Sequence, residues 1–290
     1  MNTDNDFYNA ILARHSVRRY RQTRLNEKEL SGVMDLSKVS ETLENNQFSL
    51  KLFDYNPETQ AGKALGGFGR IMKPPHFVAP CISGNHLSTV DLGFRTQHIV
   101  NALWRRGIGS CFVGCAHKQE QVKRLLELPD ETRVISFVIF GFPENDQSLR
   151  LYQKVSQIFT KSKKRFSLEE LFIDHQIPKI IKMDKQISKI LEAGRAAPSA
   201  TNAQPWRFGI NNNHFIIYAR QKIVANIFDL NQDYSLHDTG ICMANMSQTA
   251  EALGTPLHWQ MITTNTNAFI KSENDIPIAF FSLDDPRRSK

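Results

Sequence analysis

Hydrophobic positions along this chain follow two different periods. Short continuous runs, such as Ile135-Ser-Phe-Val-Ile-Phe-Gly-Phe-Pro143 and Ile278-Ala-Phe-Phe-Ser-Leu-Asp-Asp-Pro286, read as buried strands stopped by proline. Longer amphipathic stretches alternate with them. Asp91-Leu-Gly93 opens one that stops at Gly107, and Asp238-Thr-Gly240 opens another that stops at Gly254. An Asp at a helix start accepts from free backbone N–H groups and suits the positive end of the dipole, and a Gly just past the end takes a left-handed cap. Each stretch predicts a helix of about four turns.

The two helix starts lie 147 residues apart in a chain of 290. His76-Phe-Val78 resembles His214-Phe-Ile216 ahead of a strand, and a helix precedes the first strand of each half. In the first half Asn26-Glu-Lys-Glu29 resembles a capping box; in the second, Asp184 precedes Ile187, Ile190, Leu191 and Gly194 at helical spacing. A further helix begins near Asp4, with Phe7, Ala10 and Ile11 on one face. These pairs predict an approximate internal repeat: a first half over residues 1–150, a polar and basic crossover over 151–183, and a second half over 184–290.

Composition narrows the class. Hydrophobic residues at 41% and charged residues at 22% suit a soluble globular chain, and the longest apolar runs, such as Val134 to Phe142, are too short to span a bilayer. The polar, acidic N-terminus lacks a signal-peptide pattern, so a cytoplasmic location is expected. Cys81, Cys111, Cys115 and Cys242 show no disulfide-framework spacing, and with only His117 near Cys111 and Cys115 no metal is expected. The net charge of +7 is partly local, in Lys161, Lys163, Lys164 and Arg165 and then Lys179, Lys182, Lys185 and Lys189. No nucleic-acid motif accompanies it, so a solvated face is favoured over a nucleic-acid partner.

Three segments carry candidate chemistry. Arg14, Ser16 and Arg18 follow the first helix; in an extended chain they share one side, and two guanidiniums with a hydroxyl suit a phosphate monoester. The bland alternative is a basic helix end answering its own dipole. Pro198-Ser-Ala-Thr-Asn-Ala-Gln-Pro-Trp206 is a loop bracketed by prolines that presents Ser199, Asn202 and Gln204, donors and acceptors suited to a heterocyclic ring edge. Its alternative is a turn that caps local backbone. Gly107-Ile-Gly-Ser-Cys-Phe-Val-Gly-Cys115 reads as a strand in which Gly114 lets backbone approach a flat ligand, and it lacks the dinucleotide fingerprint of a Rossmann unit.

Together these segments resemble the FMN-dependent nitroreductase family, in a single-chain, duplicated branch. The resemblance adds Lys163-Lys-Arg165-Phe-Ser-Leu-Glu-Glu-Leu171 as the counterpart of the family's basic tail. It implies an α+β, nitroreductase-like fold: two related α/β halves with mainly antiparallel sheets, packed by helices as an internal pseudo-dimer. It also implies a monomer that binds one FMN, takes electrons from NADH or NADPH, and reduces a small acceptor such as a nitroaromatic or a quinone, with no membrane partner. Carried over by position, Arg14, His15, Ser16 and Arg18 hold the phosphate and Lys163 and Arg165 complete that clamp. Phe112, Val113, Gly114 and Cys115 lie along the flavin, and Pro198, Ser199, Asn202 and Gln204 reach it from the other half. No side chain is implied as catalytic.

The second pocket departs from this pattern. Glu41-Thr-Leu-Glu-Asn45-Asn-Gln47-Phe stands where the proline-bracketed loop belongs, and Phe172-Ile-Asp-His-Gln-Ile-Pro178 stands where a second clamp belongs. A non-turnover flavin-binding sensor or degenerate scaffold is therefore the alternative, separated from an enzyme by whether NAD(P)H reduces the bound flavin.

Overall fold

The computed structural model describes residues 3–39, 42–85, 87–115, 117–144, 165–179, 181, 184–221, 223–224, 232–263 and 274–283. Helices α1 (Thr3–Ala13) and α2 (Glu27–Val39) lead into β1 (Gln47–Asp54). The short helices α3 (Gln60–Ala64) and α4 (Gly66–Met72), then β2 (His76–Ser83), follow. Next come α5 (Ser88–Arg105), β3 (Gly109–Gly114), α6 (Gln119–Leu126) and β4 (Ser136–Gly141). The second half holds α7 (Leu168–Leu171), α8 (Lys185–Arg195), β5 (Trp206–Asn211) and β6 (His214–Arg220). It continues through the small pair β7 (Ile223–Val224) and β8 (Gln232–Asp233) to α9 (Ser235–Ala252), β9 (Gln260–Met261) and β10 (Asp275–Ser282).

Two four-stranded sheets result, with orders β1-β2-β4-β3 and β5-β6-β10-β9. Leaving aside the small pair, both read first, second, fourth, third, and every described pairing within them is antiparallel. Each sheet carries its long helix, α5 or α9, between its second and third strands. The repeat in the sequence is thus a repeat in topology.

The long helices cross where each has its glycine. A Cβ on Gly93 would stand 2.0 Å from the carbonyl oxygen of His237, and one on Gly240 would stand 1.9 Å from that of Val90. A mid-helix glycine costs about 1 kcal/mol in propensity. That cost is offset because backbones this close exclude any side chain and let the neighbouring apolar residues meet. Val90 and Phe94 of α5 accordingly share one buried cluster with Trp206, Phe208 and Ile241 of the second half. One turn further along, a buried polar set fixes the register. Gln97 and Asn101 both donate to Asn245 Oδ1, at 3.0 and 2.9 Å, Asn101 donates to Gln248 at 2.7 Å, and Asn245 donates to the Ala193 carbonyl at 3.0 Å.

The helix ends correct one expectation. Gly107 and Gly254 take φ of +74° and +73°, the left-handed caps that the pattern predicts. The helices, however, begin at Ser88 and Ser235, three residues ahead of Asp91 and Asp238. The two aspartates sit in the first turn and turn their carboxylates to distant loops. The capping box holds, with Asn26 N donating to Glu29 at 2.7 Å and Glu29 N to Asn26 at 2.9 Å, and Asp184 caps α8 through Gln186 and Ile187.

Part of the stretch expected as a crossover is built into the second half. Ser167 and Glu170 form a capping box on α7, and Leu171 and Phe172 are buried in the second half's core. Ile173 N donates to the Phe208 carbonyl at 2.9 Å.

Candidate functional site

After α1 the chain runs extended along the edge strand β3. Val17 N donates to the Ser110 carbonyl at 2.9 Å, and Val17 lies on Gly109, where a Cβ would come within 2.7 Å. The Tyr20 hydroxyl donates to the Val17 carbonyl and, at 3.3 Å, to that of Ile139. This strap sets side-chain direction: Arg14 is buried, Ser16 and Arg18 are half-buried, and His15 faces solvent. His15 makes an edge contact with Trp104 at 4.9 Å and lies 3.3 Å from the Ala13 carbonyl, so it packs on the outside of the strap.

Arg14 is 8% exposed, and its Nε has no hydrogen-bond partner among the described residues. Burial lowers its pKa from 12.5 to about 10; Cys111 opposes that shift, while Arg165 and Arg18 add to it. Arg18 and Arg165 thus act on the charge of Arg14, and no ion pair among the described residues joins any of the three to a carboxylate. Burying an unpaired cation costs several kcal/mol. An anion between them removes that penalty, so the cluster has the electrostatics of an anion site.

Arg165 plays a second part. Its guanidinium donates to the carbonyls of Arg195 at 3.0 Å, Ala196 at 3.1 Å and Ala197, closing the C-terminus of α8. Burial, with Arg195 nearby, takes its pKa down to about 10. Expected to complete the phosphate clamp, it fastens the entry of the Pro198 loop through these carbonyls. Lys163 lies outside the described residues.

The loop itself is strained. Thr201, Asn202 and Gln204 take φ of 51°, 56° and 48°, the left-handed region that a β-branched threonine disfavours most. Its hydrogen bonds hold it there. Gln204 N donates to Ser199 Oγ at 3.0 Å, Gln204 Nε2 donates to the Asn202 carbonyl at 3.2 Å, and Phe166 N donates to Gln204 Oε1 at 2.9 Å. Ser199 and the buried Gln204 thus serve the loop's own shape, where the sequence had suggested groups offered to a ring. Pro198 and Asn202 remain half-buried at its rim.

On β3 the side chains alternate. Cys111, Val113 and Cys115 point into the first half's core, and Cys115 Sγ contacts the Val134 carbonyl at 3.2 Å with its pKa pushed up to about 12 by burial. Of the four residues expected along the flavin, Val113 and Cys115 therefore turn their side chains away and can contribute backbone only. Phe112 faces the other half and meets the His237 ring edge-on at 5.7 Å. The Tyr234 hydroxyl rests on Gly114, where a Cβ would stand 2.4 Å from it, so a ring laid on this strand end meets Tyr234 first.

A hydrogen-bonded chain joins strand and loop, and sequence reasoning missed most of it. Ser136, paired with Gly114 across the sheet, lies 3.2 Å from His237 Nε2; His237 Nδ1 lies 3.3 Å from Asp238 Oδ1; and Asp238 Oδ2 accepts from Ala200 N at 2.8 Å. Ser136, His237 and Asp238 are 4%, 2% and 4% exposed. A serine so enclosed presents no nucleophile to a substrate, and the chain acts as a tie between halves. Only Asp238 carried a signal, as a helix start.

The other pocket has a parallel tie and a different filling. Asp91 accepts from Leu43 N at 3.0 Å and from Asn46 Nδ2 at 3.1 Å, as Asp238 does from Ala200. Arg95, also on α5, then donates to Asp91 at 3.1 Å and to the Glu44 carbonyl at 3.3 Å, and lies over the Phe48 ring at 5.3 Å. The guanidinium occupies this loop from within.

A family model described as "Putative TM nitroreductase" matches residues 6–275. A solved structure titled as a putative nitroreductase from Thermotoga maritima is 17% identical, with a TM-score of 0.60 over 96% of this chain and 94% of the other. The NADPH:FMN oxidoreductase of Vibrio harveyi, solved with NAD+, is 17% identical with a TM-score of 0.43 over 53% of this chain and 86% of its own. An FMN-dependent nitroreductase from Clostridium difficile is 16% identical with a TM-score of 0.40 over 47% of this chain and 87% of its own. Among curated proteins none matches.

Proposed function

The chain belongs to the nitroreductase family, and on that premise we propose that it is an FMN-dependent NAD(P)H oxidoreductase reducing a small acceptor such as a nitroaromatic or a quinone. The observation that carries this reading is Arg14, buried beside Arg18 and Arg165 with an unpartnered Nε and no carboxylate among the described residues.

FMN, when bound, supplies hydride acceptance and donation at its N5. The phosphate end of the site suits it. Arg14 and Arg18 offer charge-assisted donors and Ser16 a hydroxyl, while Arg165 keeps the loop entry in place. Phe112 and the backbone of Val113 to Cys115 form the wall for the ring, and Asn202 at the loop rim approaches from the second half. Ser136, His237 and Asp238 hold wall and loop at a fixed separation. With Arg95 seated in the second loop, one flavin per chain follows, in a cytoplasmic monomer whose halves, residues 1–150 and 184–290 joined through 151–183, act as a pseudo-dimer.

The test is an absorption spectrum of the purified protein with its flavin-to-chain ratio, followed by anaerobic mixing with NADH and with NADPH. Near one flavin per chain, bleached by either nucleotide, supports the reading; bound flavin that neither nucleotide reduces favours a scaffold without turnover.

A further inference from the structure

In the first half, two adjoining hollows of about 320 and 280 Å³ share Tyr55, Pro57 and Arg70. The first adds Arg24, Lys73 and Pro75, and the second adds Lys63 and His117. Together they form one groove with Arg70 at its waist. None of the residues lining either hollow is acidic.

The local charge is uncompensated. Asp54, beside Tyr55, is taken by Arg24 and by His76 Nδ1, each at 2.7 Å, and Glu58 is exposed outside the lining. Arg70, Lys73 and Lys63 form no ion pair among the described residues. Lys73 ends α4 with φ of 44°, a left-handed conformation glycine would adopt without strain. The Tyr55 hydroxyl is buried against Gly69 and has no hydrogen-bond partner among the described residues, which leaves the ring to line both hollows between prolines.

We propose that this groove binds a nucleoside phosphate, its flat base on the Tyr55 ring between Pro57 and Pro75 and its phosphates on Arg70 and Lys73. The first hollow reaches the size of a small-ligand site, roughly 300 Å³ at the lower end, and the second adjoins it. The flat apolar wall selects a ring and the cations select two or more negative charges, so neither a neutral nucleoside nor inorganic phosphate satisfies both. The site is independent of the flavin reading.

Isothermal titration of the full chain, carrying its retained FMN with excess flavin removed by gel filtration, compares ADP, adenosine and inorganic phosphate. ADP binds more tightly than the other two, and Arg70→Glu or Lys73→Glu weakens it by about tenfold or more, the loss of one charge-assisted contact. Both residues are exposed, and circular dichroism confirms that the variants stay folded. Three results overturn the proposal: no ADP binding to the native chain, binding unchanged in both variants, or phosphate binding as tightly as ADP. Flavin binding is read separately from its absorbance, so failure here leaves that reading untouched.

Discussion

Asp238, in the first turn of α9, accepts a hydrogen bond at 2.8 Å from the amide of Ala200, at the start of the strained turn in the Pro198 loop. The carboxylate lies on the dipole's positive end and holds the loop against the half to which Ser136 belongs. Asp238→Ala leaves Ala200 N and His237 Nδ1 without a partner, and the expected cost is about 2 kcal/mol. Chemical denaturation reads that loss, and a flavin titration reads the accompanying loss of affinity as the loop loosens.

The same carboxylate gives a pH dependence. Burial raises its pKa from 3.8, and the bonds to His237 and Ala200 oppose that only in part. A carboxylate raised on folding binds more protons folded than unfolded, so its contribution is full below the ordinary value and is lost as pH rises through the folded value. Native protein should lose stability over that interval relative to Asp238→Asn, which does not titrate. Parallel melting curves from pH 3.5 upward test this, and a constant difference between the two proteins would refute it.

Arg14 sets stability against binding. Arg14→Met removes a buried cation that has no partner without a ligand, so the flavin-free protein should gain about 1 kcal/mol. The same variant should lose flavin affinity. Melting temperatures with and without FMN measure both effects, and a destabilised flavin-free variant would show that the cluster is already neutralised.

Gly93→Ala and Gly240→Ala place a methyl within 2.0 Å of a backbone carbonyl on the opposing helix. Neither carbonyl can turn aside, so the helices must separate, at a cost of about 3 kcal/mol or more. Equal loss of melting temperature in the two variants is expected, together with loss of flavin binding, because the proposed site draws on both halves.

All four cysteines are buried and unpaired, and burial raises the pKa of Cys81, Cys115 and Cys242. A thiol reagent at pH 8 should label none in the folded protein and all four in denaturant. Fast labelling of Cys115 in the native state would contradict the inward turn of its side chain.

Legibility in the sequence followed the range of the interactions. The caps at Asn26, Asp184, Gly107 and Gly254 were readable because their partners lie within four residues. The strand β3 and the strap from Arg14 to Arg18 were readable from glycine spacing and alternation. The tasks of Arg165, Ser199 and Gln204 were not, since a side chain rich in donors can serve a ligand or its own backbone, and only the folded loop decides. The Ser136 to Asp238 chain was hidden because its members stand 101 residues apart in sequence, and Tyr234 offered no signal beyond being aromatic.

The crossing of α5 and α9 at Gly93 and Gly240 puts a pseudo-twofold axis inside one polypeptide. In a symmetric homodimer every substitution is made twice, so a residue that closes one pocket closes both. Here Arg95 stands 147 positions before Cys242, and the first residue reaches the loop at Glu44 while the second stays in the core. Joining the halves lets one pocket be filled while its twin stays free to specialise.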